Sequence, residues 1–271
     1  MSLLETLIWR LGELRNQRLA RLALAIPIAL AASAAFAGEG SLIVQFSQCT
    51  EFVGLGPAKA TEARALVPAA YNVMVGSGGA TLVVRVTDCQ AVKVGNLPAR
   101  PARLAQIGLL ISSPDGTATD PNTSINNYTL TYASNLPALV LGLAARGVPA
   151  ALDTGLAYEF TPATGPSELY AAVAPDLDLS PTWFLHGTVT TPTIPIPFLA
   201  NWWRGSGSKA VKMSSTFPDI LFDFSSAVAF TTSRLNVVGS LLAGNQIARF
   251  PVSFRGAYGH ATMTVTTPNA P

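Results

Sequence analysis

Single polar side chains inside apolar segments are the residues of this sequence that could do chemistry. Arg85 interrupts the run LVVRV at residues 82–86, and Gln106 interrupts the apolar residues 104–111. Small-molecule sites are mostly apolar and aromatic, with a few polar groups that converge on the ligand. We therefore predict that such side chains meet in one cavity. The candidate ligand-binding residues are Arg85, Gln106, Asn127, Tyr128, Asn201, Trp202 and Trp203.

Three further side chains can exchange protons and are the candidate catalytic residues. His186 lies in a predicted strand, and Lys209 and Lys212 follow the segment NWWR. A histidine or lysine can act as general acid or base near neutral pH, with Arg85 holding an anionic or enolate oxygen. For each of these residues an alternative stays open, because antiparallel sheets expose one face to water and polar side chains belong there.

The motifs of common cofactor and metal sites are missing. The sequence has no Gly-x-Ser-x-Gly nucleophile motif. Gly54 and Gly56 lack the third glycine of a dinucleotide fingerprint, and residues 205–208 lack the Lys-Ser/Thr ending of a phosphate-binding loop. The two histidines, His186 and His260, are far apart in the chain. We predict no metal and no cofactor, so that any enzymatic activity would be cofactor-independent.

Residues 1–37 have the three parts of a secretory signal. Four arginines at positions 10, 15, 18 and 21 precede the apolar stretch 22–32, and Ala35-Phe36-Ala37 matches a cleavage site. The alternative is an uncleaved anchor, although the apolar stretch is shorter than the roughly 20 residues that span a bilayer. We predict cleavage before Gly38, a single domain over residues 38–271, no stable membrane anchor after cleavage, and a secreted or periplasmic location.

The charge of residues 38–271 indicates which partners the exported chain can bind, and its two cysteines indicate whether it contains a disulfide. Residues 38–271 contain equal numbers of basic and acidic side chains, so no nucleic-acid partner is expected. Cys49 and Cys89 are the two cysteines, and an oxidising compartment favours their pairing as a disulfide. That bond would close a loop of about 40 residues and stabilise the fold by roughly 3–4 kcal/mol. The alternative is two buried free thiols.

Short segments rich in Val, Ile, Thr and aromatic residues, bounded by turn residues, predict about a dozen strands. Three helices are predicted, at residues 57–66, 136–146 and 235–242; Pro68, Gly147 and Gly244 follow them. This pattern predicts an α+β, mostly antiparallel β or barrel-like fold. The stiff segment 192–197 (PTIPIP) predicts an edge or crossover, with a linker as the alternative. The long polar loop 113–127 predicts a tip or the mouth of a site.

One stretch resembles the acetoacetate decarboxylase superfamily. The pattern runs through residues 105–111 (AQIGLLI), 127–132 (NYTLTY) and the helix at 137–146, and it ends at 146–152 (RGVPAAL). The resemblance covers roughly residues 52–160. It implies an acetoacetate-decarboxylase-like β-barrel or cone with about three short helices.

The resemblance also implies where this chain departs from the family. Family decarboxylases carry a Schiff-base lysine and a neighbouring lysine just after the Gly-x-Pro turn, where this sequence has Ala150 and Ala151. A methyl group cannot form an imine. The resemblance therefore indicates a divergent member that lacks the Schiff-base lysine and does not decarboxylate in the family manner.

Three functional hypotheses follow. The leading one is an exported protein whose apolar β-cavity binds a small hydrophobic or carbonyl-bearing molecule. The protein either releases this molecule unchanged or transforms it as an isomerase, hydratase or lyase. The second is a non-catalytic secreted carrier of an apolar ligand. The third is an interaction protein that uses Trp202 and Trp203 as an exposed contact patch. The ligand and the oligomeric state stay open.

Overall fold

The computed structural model describes residues 40–161, 167–173, 183–233 and 236–267. The predicted signal at residues 1–37 lies outside the described residues and stays a prediction. The described residues all belong to one unit, Gly40–Pro271. Within this described part of the chain, none of the helices has both the length and the apolar character needed to cross a membrane.

The described residues form fourteen strands and three α-helices. The strands are β1 (Leu42–Ala58), β2 (Val75–Gly76), β3 (Gly79–Val94), β4 (Arg100–Leu110), β5 (Ser124–Ser134), β6 (Ala150–Leu152), β7 (Ala157–Thr161), β8 (Ser167–Val173), β9 (Trp183–Val189), β10 (Ile194–Arg204), β11 (Val211–Asp223), β12 (Ala227–Thr232), β13 (Gln246–Ile247) and β14 (Val252–Thr266). The helices are α1 (Ala60–Leu66), α2 (Pro137–Ala144) and α3 (Val237–Leu241). All three lie where the sequence predicts them and are shorter than predicted.

Seven long strands close into a mixed barrel. Their order is β1-β14-β11-β10-β5-β4-β3, and β3 pairs with β1 to complete the ring. Every pairing in this ring is antiparallel except that of β5 with β10. Closure gives each of these strands two neighbours and leaves no edge open to other chains. The predicted α+β, mostly antiparallel barrel is confirmed. Residues 194–196 of the proline-rich segment already belong to β10 and pair with β11, whereas the parallel pairing of β10 with β5 begins at Leu199.

A second sheet, in the order β13-β12-β9-β8-β7, covers part of the outer wall of the barrel. The ring of Phe250 lies 5.8 Å from that of Phe52 on β1 and 6.3 Å from that of Phe230 on β12, so it joins the two layers. A Cβ on Gly54 would stand 2.6 Å from the Phe250 ring. Gly54 therefore serves packing between the layers, which accounts for a glycine that belongs to no nucleotide motif.

The part of the barrel wall that lies beneath the second sheet is consequently buried on both faces, as in the middle of β3. In β3, the outward residues Leu82, Val84 and Val86 belong to the core beneath the second sheet. Alternate residues on the same strand, Val83 and Arg85, point into the barrel and are equally buried. A strand covered on both sides carries a continuous apolar run, and a polar residue within it must find a partner inside.

The predicted disulfide is confirmed. Cys49 and Cys89 stand directly opposite each other across the antiparallel pair of β1 and β3, and their sulfurs are bonded. The bond ties together two neighbouring strands of the ring at a point 40 residues apart in sequence.

Candidate active site at the mouth of the barrel

A buried ion pair crosses the interior of the barrel. The Arg85 guanidinium donates to Oε2 of Glu51 from Nε at 2.9 Å, and its Nη2 lies 2.8 Å from the same oxygen. Thr87 donates to this oxygen as well, at 3.3 Å. Both charged side chains are nearly enclosed, with 5% and 4% of their surfaces exposed. Burial alone would lower the pKa of Arg85, but the Glu51 carboxylate outweighs that effect and raises the pKa, so the arginine stays charged.

Two phenols share this interior. Burial raises the pKa of Tyr132 and of Tyr258 well above the ordinary value, although the Arg85 cation opposes the rise in both. Both tyrosines therefore stay protonated at any physiological pH. They add hydrogen-bonding capacity to the barrel interior without adding charge.

A polar pair without partners lies beside the ion pair. Asn127 on β5 and Trp202 on β10 face each other in the parallel register, and both are buried. Within the described part of the chain, neither the Asn127 amide nor the Trp202 indole N–H has a hydrogen-bond partner. A Cβ on Gly108 would stand 2.8 Å from the Trp202 ring and 2.4 Å from the Tyr128 carbonyl oxygen, so the glycine makes room for the indole.

These groups line a small inner cavity of about 20 Å³, which includes Glu51, Arg85, Asn127, Trp202 and Phe217 in its wall. That volume is close to the space that one water molecule needs. Unpaired polar groups facing an enclosed space of this size are unusual in proteins and call for a partner.

A larger cavity of about 490 Å³ opens at the end of the barrel. We call it the mouth cavity. It shares Ile125, Phe198 and Phe254 with the inner cavity, so the two lie end to end. Its apolar wall includes Leu55, Leu110, Ile196, Phe198, Phe222 and Phe254. An apolar space of this size that ends in a few polar groups has the form of a small-molecule site.

The loop after β4 forms the polar wall of the mouth cavity, with Ser112, Ser113, Thr119 and Asn122 among its residues. Lys212 on β11 anchors this loop. Its Nζ donates to Oδ2 of Asp115 at 2.6 Å and to the Thr117 hydroxyl at 2.8 Å. The predicted mouth at residues 113–127 is thus a wall held by side chains of the barrel.

Asn126 and Asn201 complete the anchorage from the outside of the barrel. The Asn126 amide donates to the carbonyl oxygens of Thr117 and Ala118, and Asn201 donates to the Thr117 hydroxyl. The Trp203 indole donates to Oδ1 of Asn126. These side chains therefore position the loop and do not enter the barrel.

The pH dependence of the loop follows from Asp115. Partial burial would raise the pKa of this carboxyl, but hydrogen bonds from Lys212 and Thr117 lower it to about 2. The ionised Asp115 carboxylate therefore stabilises the folded state at pH values above the ordinary pKa of 3.8, and this stabilisation is lost as the pH falls toward about 2.

We expect an NMR titration of the Asp115 carboxyl to give a pKa near 2. In Lys212→Met it should move toward the ordinary value, and in the matched control Lys209→Met it should not move. An ordinary pKa in the unaltered protein would contradict the anchorage.

The structure brings three of the seven candidate ligand-binding residues to the inner cavity, namely Arg85, Asn127 and Trp202. Gln106 is buried and donates to the Thr129 hydroxyl at 3.2 Å. The Tyr128 ring points outward and packs on Tyr71. Asn201 and Trp203 anchor the loop, as described above.

The three candidate catalytic residues are placed apart from one another. Lys212 anchors the loop, Lys209 lies exposed in a 3₁₀ turn, and His186 lies exposed on β9 of the second sheet. None of them lines the mouth cavity or the inner cavity. The structure therefore does not unite them with the ligand-binding candidates.

Sequence reasoning missed Glu51, the partner of Arg85. A signal was available, because a Cys49–Cys89 bond between adjacent strands fixes their register. Glu51 then lies opposite Thr87, on the same face as Arg85. An acidic and a basic residue two positions apart on facing strands are within reach of each other.

The lysines of the chain are four, Lys59, Lys93, Lys209 and Lys212, and all are described. None lines either cavity. Ala150 and Ala151, which the sequence resemblance aligns with the lysines of the family decarboxylases, lie on β6, which pairs with β5 outside the ring. The cavities described here therefore contain no amine that could form an imine with a carbonyl compound. Among the described residues no cluster of His, Cys, Asp and Glu is placed to hold a metal ion.

The described residues thus form a closed mixed β-barrel with a cavity at its mouth. No protein-family model matches the sequence, and no curated protein matches it. Solved structures do share the fold. Acetoacetate decarboxylase superposes with a TM-score of 0.54 at 8% identity, over 84% of this chain and 89% of the other. The chain thus has the acetoacetate decarboxylase fold, as its sequence pattern predicts.

Two other structures have a similar fold. An acetoacetate decarboxylase-like enzyme from Sphingomonas wittichii RW1 has a TM-score of 0.50 at 8% identity, over 87% of this chain and 94% of its own. The enduracididine biosynthesis enzyme MppR, with HEPES buffer bound, has a TM-score of 0.50 at 10% identity, over 85% of this chain and 87% of its own. Identities this low carry the fold and not the activity.

Proposed function

We propose that this protein is exported and binds a small apolar molecule in the mouth cavity without forming a covalent bond to it. The observation that carries the proposal is the apolar cavity of about 490 Å³ that ends at the buried groups Arg85, Asn127 and Trp202. The ligand's apolar body would pack on Phe198, Phe222 and Phe254. Its polar end would reach the inner cavity.

Two features favour binding over covalent chemistry. None of the four lysines lines the mouth cavity or the inner cavity, so Schiff-base chemistry has no amine at this site. The one cation in the inner cavity wall, Arg85, is already neutralised by Glu51 at 2.8 Å. The Cys49–Cys89 disulfide supports export, because such bonds persist in oxidising compartments.

A cavity-filling variant tests this proposal. Leu110 lines the mouth cavity, and Leu110→Trp would occupy part of it. We expect the unaltered protein to bind the neutral fluorophore N-phenyl-1-naphthylamine saturably, and Leu110→Trp to weaken that binding about tenfold or more, which corresponds to about 1.4 kcal/mol. Fluorescence titration measures both.

Leu141→Trp is the matched control, because Leu141 is an exposed leucine on α2 that does not line the mouth cavity. It should bind the fluorophore like the unaltered protein. Thermal unfolding of all three proteins shows whether each is folded. Absent saturable binding, or equal binding by a folded Leu110→Trp variant, would refute the proposal. Recovery of a chemically changed ligand after incubation would replace the carrier with an enzyme.

A further inference from the structure

We infer that the ligand is an uncharged alcohol whose hydroxyl group sits in the inner cavity between Asn127 and Trp202; the inference rests on the proposed function. It specifies the chemical class of the ligand. Three observations carry it: the unpaired polar atoms, the balanced charge and the size of the inner cavity.

The unpaired atoms define which hydrogen bonds are needed. Asn127 is fully enclosed and offers one acceptor oxygen and an amide that donates, while Trp202 offers one N–H donor. A buried polar group without a partner costs about 1–3 kcal/mol. The two side chains are neighbours across the β5–β10 pair and line the same inner cavity, so one ligand group can serve both.

The charge balance disfavours an ionised ligand group. Glu51 and Arg85 are the only charged residues among the described residues that line the two cavities, and they neutralise each other at 2.8 Å. A carboxylate in the inner cavity would meet the Glu51 carboxylate, and an ammonium would meet Arg85. Neither ion would find a free counter-charge there, and burying an ion without one is expensive.

The size of the inner cavity and its donor and acceptor groups favour a hydroxyl. About 20 Å³ holds one water-sized group. A hydroxyl oxygen can accept from the Trp202 N–H while its proton is donated to Oδ1 of Asn127. A ketone or ether oxygen can accept the same bond but leaves the Asn127 oxygen unpaired. Hydroxyl ligands should therefore bind more tightly than carbonyl or ether ligands of equal size.

The test displaces N-phenyl-1-naphthylamine from the unaltered protein with four ligands of similar length: 1-octanol, 1-methoxyheptane, 2-octanone and octanoate. We expect 1-octanol to bind about tenfold more tightly than the ether and the ketone, and octanoate to bind most weakly at pH 7.5. Equal affinities for 1-octanol and 1-methoxyheptane would overturn the inference and would assign the inner cavity to a bound water. Because fluorophore binding would persist in that case, the proposed function would stand.

The variant Asn127→Leu tests whether Asn127 is the residue that binds the ligand hydroxyl. Replacing an unpaired buried amide with an apolar side chain of similar shape is neutral or stabilising. We therefore expect the variant to bind the fluorophore, to unfold at the same or a higher temperature, and to lose the preference for 1-octanol over the ether. A retained preference would overturn the assignment. If this variant does not fold, Trp202→Phe takes its place, because it removes the N–H and keeps an aromatic ring.

Gln106→Leu is the matched control for the Asn127 variant. Its amide is buried on the neighbouring strand β4 but is already bonded to Thr129. This variant should lose stability, because the Thr129 hydroxyl loses its partner, and should keep the preference for 1-octanol. A loss of the preference in both amide variants would overturn a specific role of Asn127.

Discussion

Replacing Glu51 with glutamine is expected to lower the free energy of unfolding by about 3–5 kcal/mol. The substitution keeps the shape of the side chain and removes its charge. Arg85, of which 5% is exposed, would then stand as an uncompensated cation inside the barrel. Because marginal stability is typically only about 5–15 kcal/mol, a loss of this size should be plain in equilibrium urea unfolding followed by tryptophan fluorescence.

Two comparisons isolate the effect of burial. Arg103 and Asp88 form a similar pair at 3.2 Å on the surface, with 36% and 43% of their side chains exposed. Asp88→Asn should therefore cost less than about 1 kcal/mol. A double variant, Glu51→Leu with Arg85→Met, removes both charges and should recover most of the lost stability. A cost below about 1 kcal/mol for Glu51→Gln would contradict an enclosed ion pair.

The sequence predicts much of this fold because its signals are local. Proline and glycine mark the ends of the helices, and short β-branched segments between turn residues mark the strands. The disulfide follows from two cysteines and a predicted export signal, because an oxidising compartment favours their pairing. The likeness to the acetoacetate decarboxylase family extends these local signals to the barrel as a whole.

The site is harder to predict, because neighbouring residues of a strand point in opposite directions. Asn127 lines the inner cavity while Asn126 holds the loop outside, and Trp202 faces inward while Trp203 faces outward. The period of two separates these pairs but does not say which member is inside. That choice depends on what covers the outer face. Here the loop after β4 and the Tyr71 ring cover it, so both members of each pair are buried.

His186 illustrates the opposite case. On β9 the residues Trp183, Leu185 and Val189 are buried against the barrel, and His186 stands on the other face with Thr188. The alternation is clear in the sequence. The alternation does not show that β9 belongs to the second sheet, whose polar face is exposed to solvent and does not line either cavity. The proposed site therefore depends on which sheet a strand joins, and strand pairing between distant segments decides that.

Reduction of the Cys49–Cys89 bond is the second large effect that we expect. In the chain-entropy model, the loop of 40 residues stabilises the folded state by about 4 kcal/mol, because the bond restricts the unfolded chain. Urea unfolding with and without a thiol reductant should show that difference. The double variant Cys49→Ala with Cys89→Ala serves as the control and should not respond to the reductant.

The same experiment separates two roles of the disulfide. Glu51 follows Cys49 by two residues on β1, and Arg85 precedes Cys89 by four on β3. If the bond acts only on the unfolded chain, the reduced protein in the absence of urea keeps its ion pair and binds N-phenyl-1-naphthylamine with unchanged affinity. If the bond also holds these two strands in register, the affinity falls together with the stability. We expect the first result, because β1 and β3 are paired along fourteen positions and one covalent link among them adds little to their alignment. An unchanged unfolding midpoint after complete reduction would show that the unfolded chain is not restricted by this bond.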